Sequence, residues 1–74
     1  MKGVSSFSTD QASRIRALLN EKIRASSEDQ KRIRDEIRAI GFYISDFRSS
    51  SKGFGPEDFD ALVRSGQIAI ADVR

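Results

Sequence analysis

Gly41-Phe42-Tyr43-Ile44-Ser45-Asp46-Phe47 and, twelve residues further on, Gly53-Phe54-Gly55-Pro56-Glu57-Asp58-Phe59 share the pattern Gly-Phe-x-x-x-Asp-Phe. Four of the chain's five phenylalanines lie in these two stretches, so the aromatic part of the core is expected there. The first stretch is aromatic and β-branched and predicts a short strand over 42–47. In the second, Pro56 falls at a first helical position, where its missing N–H costs nothing, and Glu57 and Asp58 suit the positive end of a helix. The same words therefore predict different structures. Their spacing is also far below the roughly 20–50 residues of structural repeats. The likeness reads as fortuitous, and its content is physical: Phe42, Phe47, Phe54 and Phe59 anchor a core or an interface.

Upstream of these stretches the pattern is helical. Ser8 followed by Gln11 fits a capping box, with Phe7 as a hydrophobic staple. Ala12, Ile15, Leu18, Leu19 and Ile23 then form one apolar stripe, predicting a first helix from Thr9 to Ala25. Ser27 with Gln30 repeats the box. Ile33, Ile37 and Ile40 form a second stripe, and Gly41 stands where a left-handed cap would end it. The two helices make a helical hairpin. Downstream, Arg48 to Gly55 reads as a loop. A third helix starts at Pro56, turns Phe59, Leu62 and Val63 inward, and ends at Gly66. Gln67-Ile68-Ala69-Ile70 reads as a second strand.

The expected fold is thus α+β in the order α-α-β-α-β, a helical hairpin packed on a two-stranded element. Residues 1–74 form one domain, with 1–6 and 71–74 flexible. A chain of 74 residues buries only about 60% of its unfolded surface, and neither Cys nor His is present to staple it. A lone two-stranded sheet is marginal in water, which motivates a homodimer. No apolar run approaches the ~20 residues that span a bilayer, and the N-terminus carries no apolar signal segment. The expected setting is cytoplasmic, with no membrane partner.

The same composition argues against chemistry. Without His or Cys no catalytic triad forms, and Ser51 beside Lys52 is too close in sequence to work as a pair. Ser49 to Gly55 leads into a helix N-terminus, but the spacing is not that of a phosphate-binding loop, and acidic residues already occupy that helix end. Asp46, Asp58 and Asp60 lack any calcium-loop pattern. No enzyme activity, cofactor or metal is expected.

The leading expectation is a non-catalytic protein-binding or self-associating module, with Tyr43 and Phe54 as interface anchors. The alternative is a small nucleic-acid-binding domain. Residues 1–40 carry a net charge of +3, against −1 for 41–74. Lys31, Arg34 and Arg38 recur at helical spacing as a basic ridge, which Arg24 and Lys22 extend; such ridges meet phosphates. Asp35 and Glu36 stand where they would pair with Arg38 and Arg32 instead, which favours the first expectation.

Overall fold

The computed structural model describes residues 3–48 and 53–71. Ser8 opens the first helix as its sequence requires. The Gln11 N–H donates to Ser8 Oγ at 3.1 Å, and the Ser8 N–H donates to Gln11 Oε1 at 2.9 Å. Helix α1 then runs Thr9–Lys22 and α2 runs Ser27–Ile40. The second cap lies one residue earlier than the Ser27–Gln30 box. Ser26 caps α2 by accepting the Asp29 N–H at 3.4 Å, while Gln30 Nε2 donates back to the Ala25 carbonyl at 3.1 Å. The side chain that reaches an open amide is the one whose own backbone is extended, and that is Ser26 (ψ 168).

Gly41 closes α2 at φ +112, a conformation that favours glycine. The chain then departs from the expected strand over 42–47. Ile44–Asp46 forms one 3-10 turn, with the Asp46 N–H donating to the Tyr43 carbonyl and the Phe47 and Arg48 N–H groups to the Ile44 carbonyl. Strand preference records fitness for a half-buried surface, and here that surface is an aromatic cluster rather than a sheet. The described part of the expected loop, Arg48 and Gly53 to Gly55, is free of helix and strand; Ser49 to Lys52 lie outside the described residues. Helix α3 spans Pro56–Arg64 and ends through Gly66 at φ +84.

The sheet is two-stranded and parallel, but its first strand is not the expected one. β1 is Ser6–Phe7 and β2 is Ala69–Ile70, with Ser6 opposite Ala69 and Phe7 opposite Ile70. The Ala69 N–H donates to the Ser5 carbonyl at 2.8 Å and the Ala71 N–H to the Phe7 carbonyl at 2.9 Å. Gln67 and Ile68, expected in this strand, instead donate to the Leu62 carbonyl and finish α3. Of the segments expected to be flexible, 3–6 and Ala71 carry backbone hydrogen bonds to the rest of the fold. The Gly3 N–H donates to Asp46 Oδ2 and the Val4 N–H to the Gly41 carbonyl, both at 2.9 Å. The remaining terminal positions, 1–2 and 72–74, lie outside the described residues. The class is α+β with the hairpin as expected; the described order is β-α-α-α-β, with the 3-10 turn before the third helix.

All three helices close on one core, joined by Phe7 from β1 and Ile68 from the segment before β2. Ile15, Leu19, Ile33, Ile37, Phe54 and Phe59 are at most 1% exposed. Phe42 is its centre. Its ring meets Phe7, Phe47, Phe54 and Phe59 at centroid separations of 6.0, 5.7, 6.0 and 5.4 Å. Ile23 is not part of this stripe: α1 ends before it, and it stands 53% exposed. Lys22 takes the inward position instead and is only 3% exposed.

Candidate functional site

A cleft of about 190 Å³ lies between α2 and the 3-10 turn. Its floor is apolar: Ile37, Phe42 and Ile44. Three arginines, Arg34, Arg38 and Arg48, line it as well, together with Ser45. The local structure explains the grouping. Arg34 and Arg38 are four residues apart and stack on one edge of α2, beside the inward Ile33 and Ile37. Gly41 reverses the chain, and the 3-10 turn brings Ser45 and Arg48 back against that edge.

Arg48 and Arg38 each meet both a carboxylate and an aromatic ring. Arg48 Nη2 donates to Asp58 Oδ1 at 2.7 Å, and its guanidinium lies 5.6 Å from the Phe54 ring centroid. Arg38 lies 5.9 Å from the Tyr43 ring centroid, with Asp35 Oδ1 at a looser 3.8 Å. Rings beneath a guanidinium favour its charge and restrict its motion. Lys22, the last residue of α1, is buried. Burial pulls its ammonium below the usual lysine range, and the positive charge of Arg34 adds to that shift.

The basic ridge read from the sequence is therefore divided. Arg34 and Arg38 belong to the cleft. Lys31 is exposed on α2 and does not line it. Arg24 lines a separate shallow hollow with Glu21 and Asp29 at the helix joint. Lys22 is buried and does not extend the ridge. The anticipated neutralising pairs are present, Arg32 with Glu36 at 4.0 Å and Arg38 with Asp35 at 3.8 Å. Arg48, the third cation of the cleft, was not singled out from the sequence. Its one signal there is its place directly after Phe47, the end of an aromatic stretch.

Of the two expected interface anchors, Phe54 is wholly buried, so it is no surface anchor; its ring belongs to the core and supports Arg48. Tyr43 is half-buried and supports Arg38. The acidic residues weighed as cation ligands are separately engaged. Asp46 accepts from Gly3, Asp58 accepts from Gly55 and Arg48, and Asp60 is forked by Arg16 at 2.8 Å through both oxygens. Among the described residues no three metal-binding side chains cluster, and no helix is long and apolar enough to cross a membrane. Comparison with protein-family models, with curated proteins and with solved structures finds no match for this chain.

Proposed function

We propose that the domain is a non-catalytic protein-binding module whose contact surface is the arginine-lined cleft. The observation that carries this reading is the presence of Arg34, Arg38 and Arg48 in one cleft with an apolar floor of Ile37, Phe42 and Ile44. Arginine, with tyrosine and tryptophan, is enriched among the residues that anchor protein interfaces. The core does not compete for this role: among the described residues every fully buried side-chain nitrogen and oxygen has a hydrogen-bond partner. The lack of His and Cys in the sequence supports a binding role over a catalytic one. A second copy of the chain is one partner within this reading, and sedimentation at micromolar concentration reads it directly.

The test compares affinity capture by the wild-type chain with capture by Arg38→Glu. A protein retained by the first and released by the second, with the helical circular dichroism of the two unchanged, is the expected result. A partner retained equally by both would remove the cleft from the interaction. The nucleic-acid alternative predicts something different: micromolar binding of labelled duplex DNA at low salt, weakened by Lys31→Ala as much as by Arg38→Ala.

A further inference from the structure

The sheet offers a second surface, which shares no residue with the cleft. We propose that β2 pairs, antiparallel and across a two-fold axis, with β2 of a second copy of this chain. Hydrogen bonding comes first. The Ala69 and Ala71 N–H groups donate to β1, so the N–H and carbonyl of Ile70 between them point to the other side of the strand. Among the described residues no hydrogen bond reaches either group, and β2 is an outer strand. The far edge of β1 differs, because there the Val4 N–H donates to the Gly41 carbonyl. An unpaired edge is a template for another strand.

Composition comes second. Charged residues make up 32% of the chain, yet neither 3–9 nor 65–71, the stretches that contain the two strands, holds one. Edges that stay single are commonly guarded by lysine or proline, and Ala69 and Ile70 are neither. Depletion of charge also marks the middle of protein interfaces. Ile70 is 42% exposed although Phe7, its partner in register, is buried.

Symmetry selects the occupant. A two-fold axis at Ile70 sets this residue opposite its own copy, and the two then exchange both N–H···O bonds, so the free donor and the free acceptor are satisfied together. Ala69 falls opposite Ala71 of the second copy, and these exposed side chains are small and uncharged, so nothing repels an identical row laid against them. The product is one four-stranded sheet, β1-β2-β2-β1, in place of a two-stranded one that is marginal in water. The contact belongs to the weak class that buries less than about 1,200 Å², and a Kd of about 0.1 mM is expected.

Amide hydrogen exchange of the full chain reads the pair residue by residue. The Ile70 N–H is expected to exchange fast at about 10 µM and about fivefold more slowly at about 1 mM, as mass action at that Kd requires. Sedimentation of the concentrated sample should show twice the mass of the chain. Ile70→Lys, and separately Ile70→Pro, which removes only an outward N–H from an edge strand, are expected to restore the monomer with unchanged helical circular dichroism. Arg38→Glu is expected to dimerise like the wild type, so failure of the cleft reading leaves this test intact. The wild-type comparison decides the matter even if a variant misfolds. Equal exchange at Ile70 in both samples, or a monomer at the higher concentration, overturns the inference. So does a dimer that Arg38→Glu disperses and Ile70→Lys does not, which gives self-association to the cleft. Exchange at Ile70 that slows only when a captured partner protein is added, the chain alone being monomeric, overturns it in favour of a foreign strand.

Discussion

The Phe42 and Phe59 rings meet edge to face, with centroids 5.4 Å apart and planes at 82°. This contact joins the two Gly-Phe-x-x-x-Asp-Phe stretches, the first ring of one against the last ring of the other. It also fastens the segment after α2 to α3. Phe42 touches the other four phenylalanines as well, so much of the aromatic packing of the fold runs through one side chain.

Phe42→Ala is expected to cost about 3–5 kcal/mol, the range for emptying a buried aromatic site. Small domains hold about 5–15 kcal/mol in total, so this variant should be largely unfolded or close to it. Phe47→Ala, at the partly buried edge of the cluster, should cost distinctly less. Urea unfolding followed by circular dichroism gives both values, and equal midpoints for the two would refute the central place of Phe42.

The two serines before α2 make a sharper contrast. Ser26→Ala removes the side chain that accepts the Asp29 N–H and should cost about 1 kcal/mol. Ser27→Ala removes an exposed hydroxyl at the first helical position and should change stability by less than about 0.5 kcal/mol. A larger loss for Ser27 than for Ser26 would return the cap to the position read from the sequence alone.

Gly3→Ala tests whether the N-terminal arm is part of the fold. A Cβ at Gly3 would collide with the Gly41 carbonyl oxygen and approach Tyr43 Cδ1 to 2.7 Å. The arm should lift, and with it the bonds from Gly3 to Asp46 and from Val4 to Gly41. Faster amide hydrogen exchange at Val4, Ala69 and Ala71 is the expected signature. Unchanged exchange at all three would show that the arm does not hold β1 in place.

The burial of Lys22 gives a pH dependence of stability whose sign can be worked out. Burial, and then the charge of Arg34, lower its proton affinity in the folded state from an ordinary value of 10.5. Well below the folded value both states are charged and the full penalty of burying the ammonium weighs on the fold. As pH rises from the folded value towards 10.5, the folded state sheds the proton first and stability grows. Relative to Lys22→Met, the wild type should therefore gain stability as the pH is raised towards 10.5. Parallel stability curves for the two proteins over that interval would contradict the burial of this amine.

The three helices were legible in the sequence because each is specified within a few residues: Ser8 with Gln11, Gly41 at the end of the isoleucine stripe, Pro56 after Gly55. Periodicity likewise placed Ile33, Ile37, Leu19 and Phe59 in the core, where they lie at 1% exposure or less. The parallel sheet was not legible in this way. Ser6 and Phe7 become a strand only because Ala69 and Ile70 arrive beside them, more than sixty positions along the chain, and a two-residue strand has no periodicity of its own. The stretch 42–47 carries every local mark of a strand, yet the hydrophobic demand of Phe42 and Ile44 is met by the aromatic cluster, so its backbone turns instead. Half of the candidate site divides along the same line. The i, i+4 spacing of Arg34 and Arg38 is a property of the sequence; the arrival of Arg48 in the same cleft depends on the reversal at Gly41 and on the contacts it makes with Asp58 and Phe54. Local hydrogen bonds and helical period are written residue by residue, whereas strand pairing and the meeting of distant charges exist only once the core has brought those segments together.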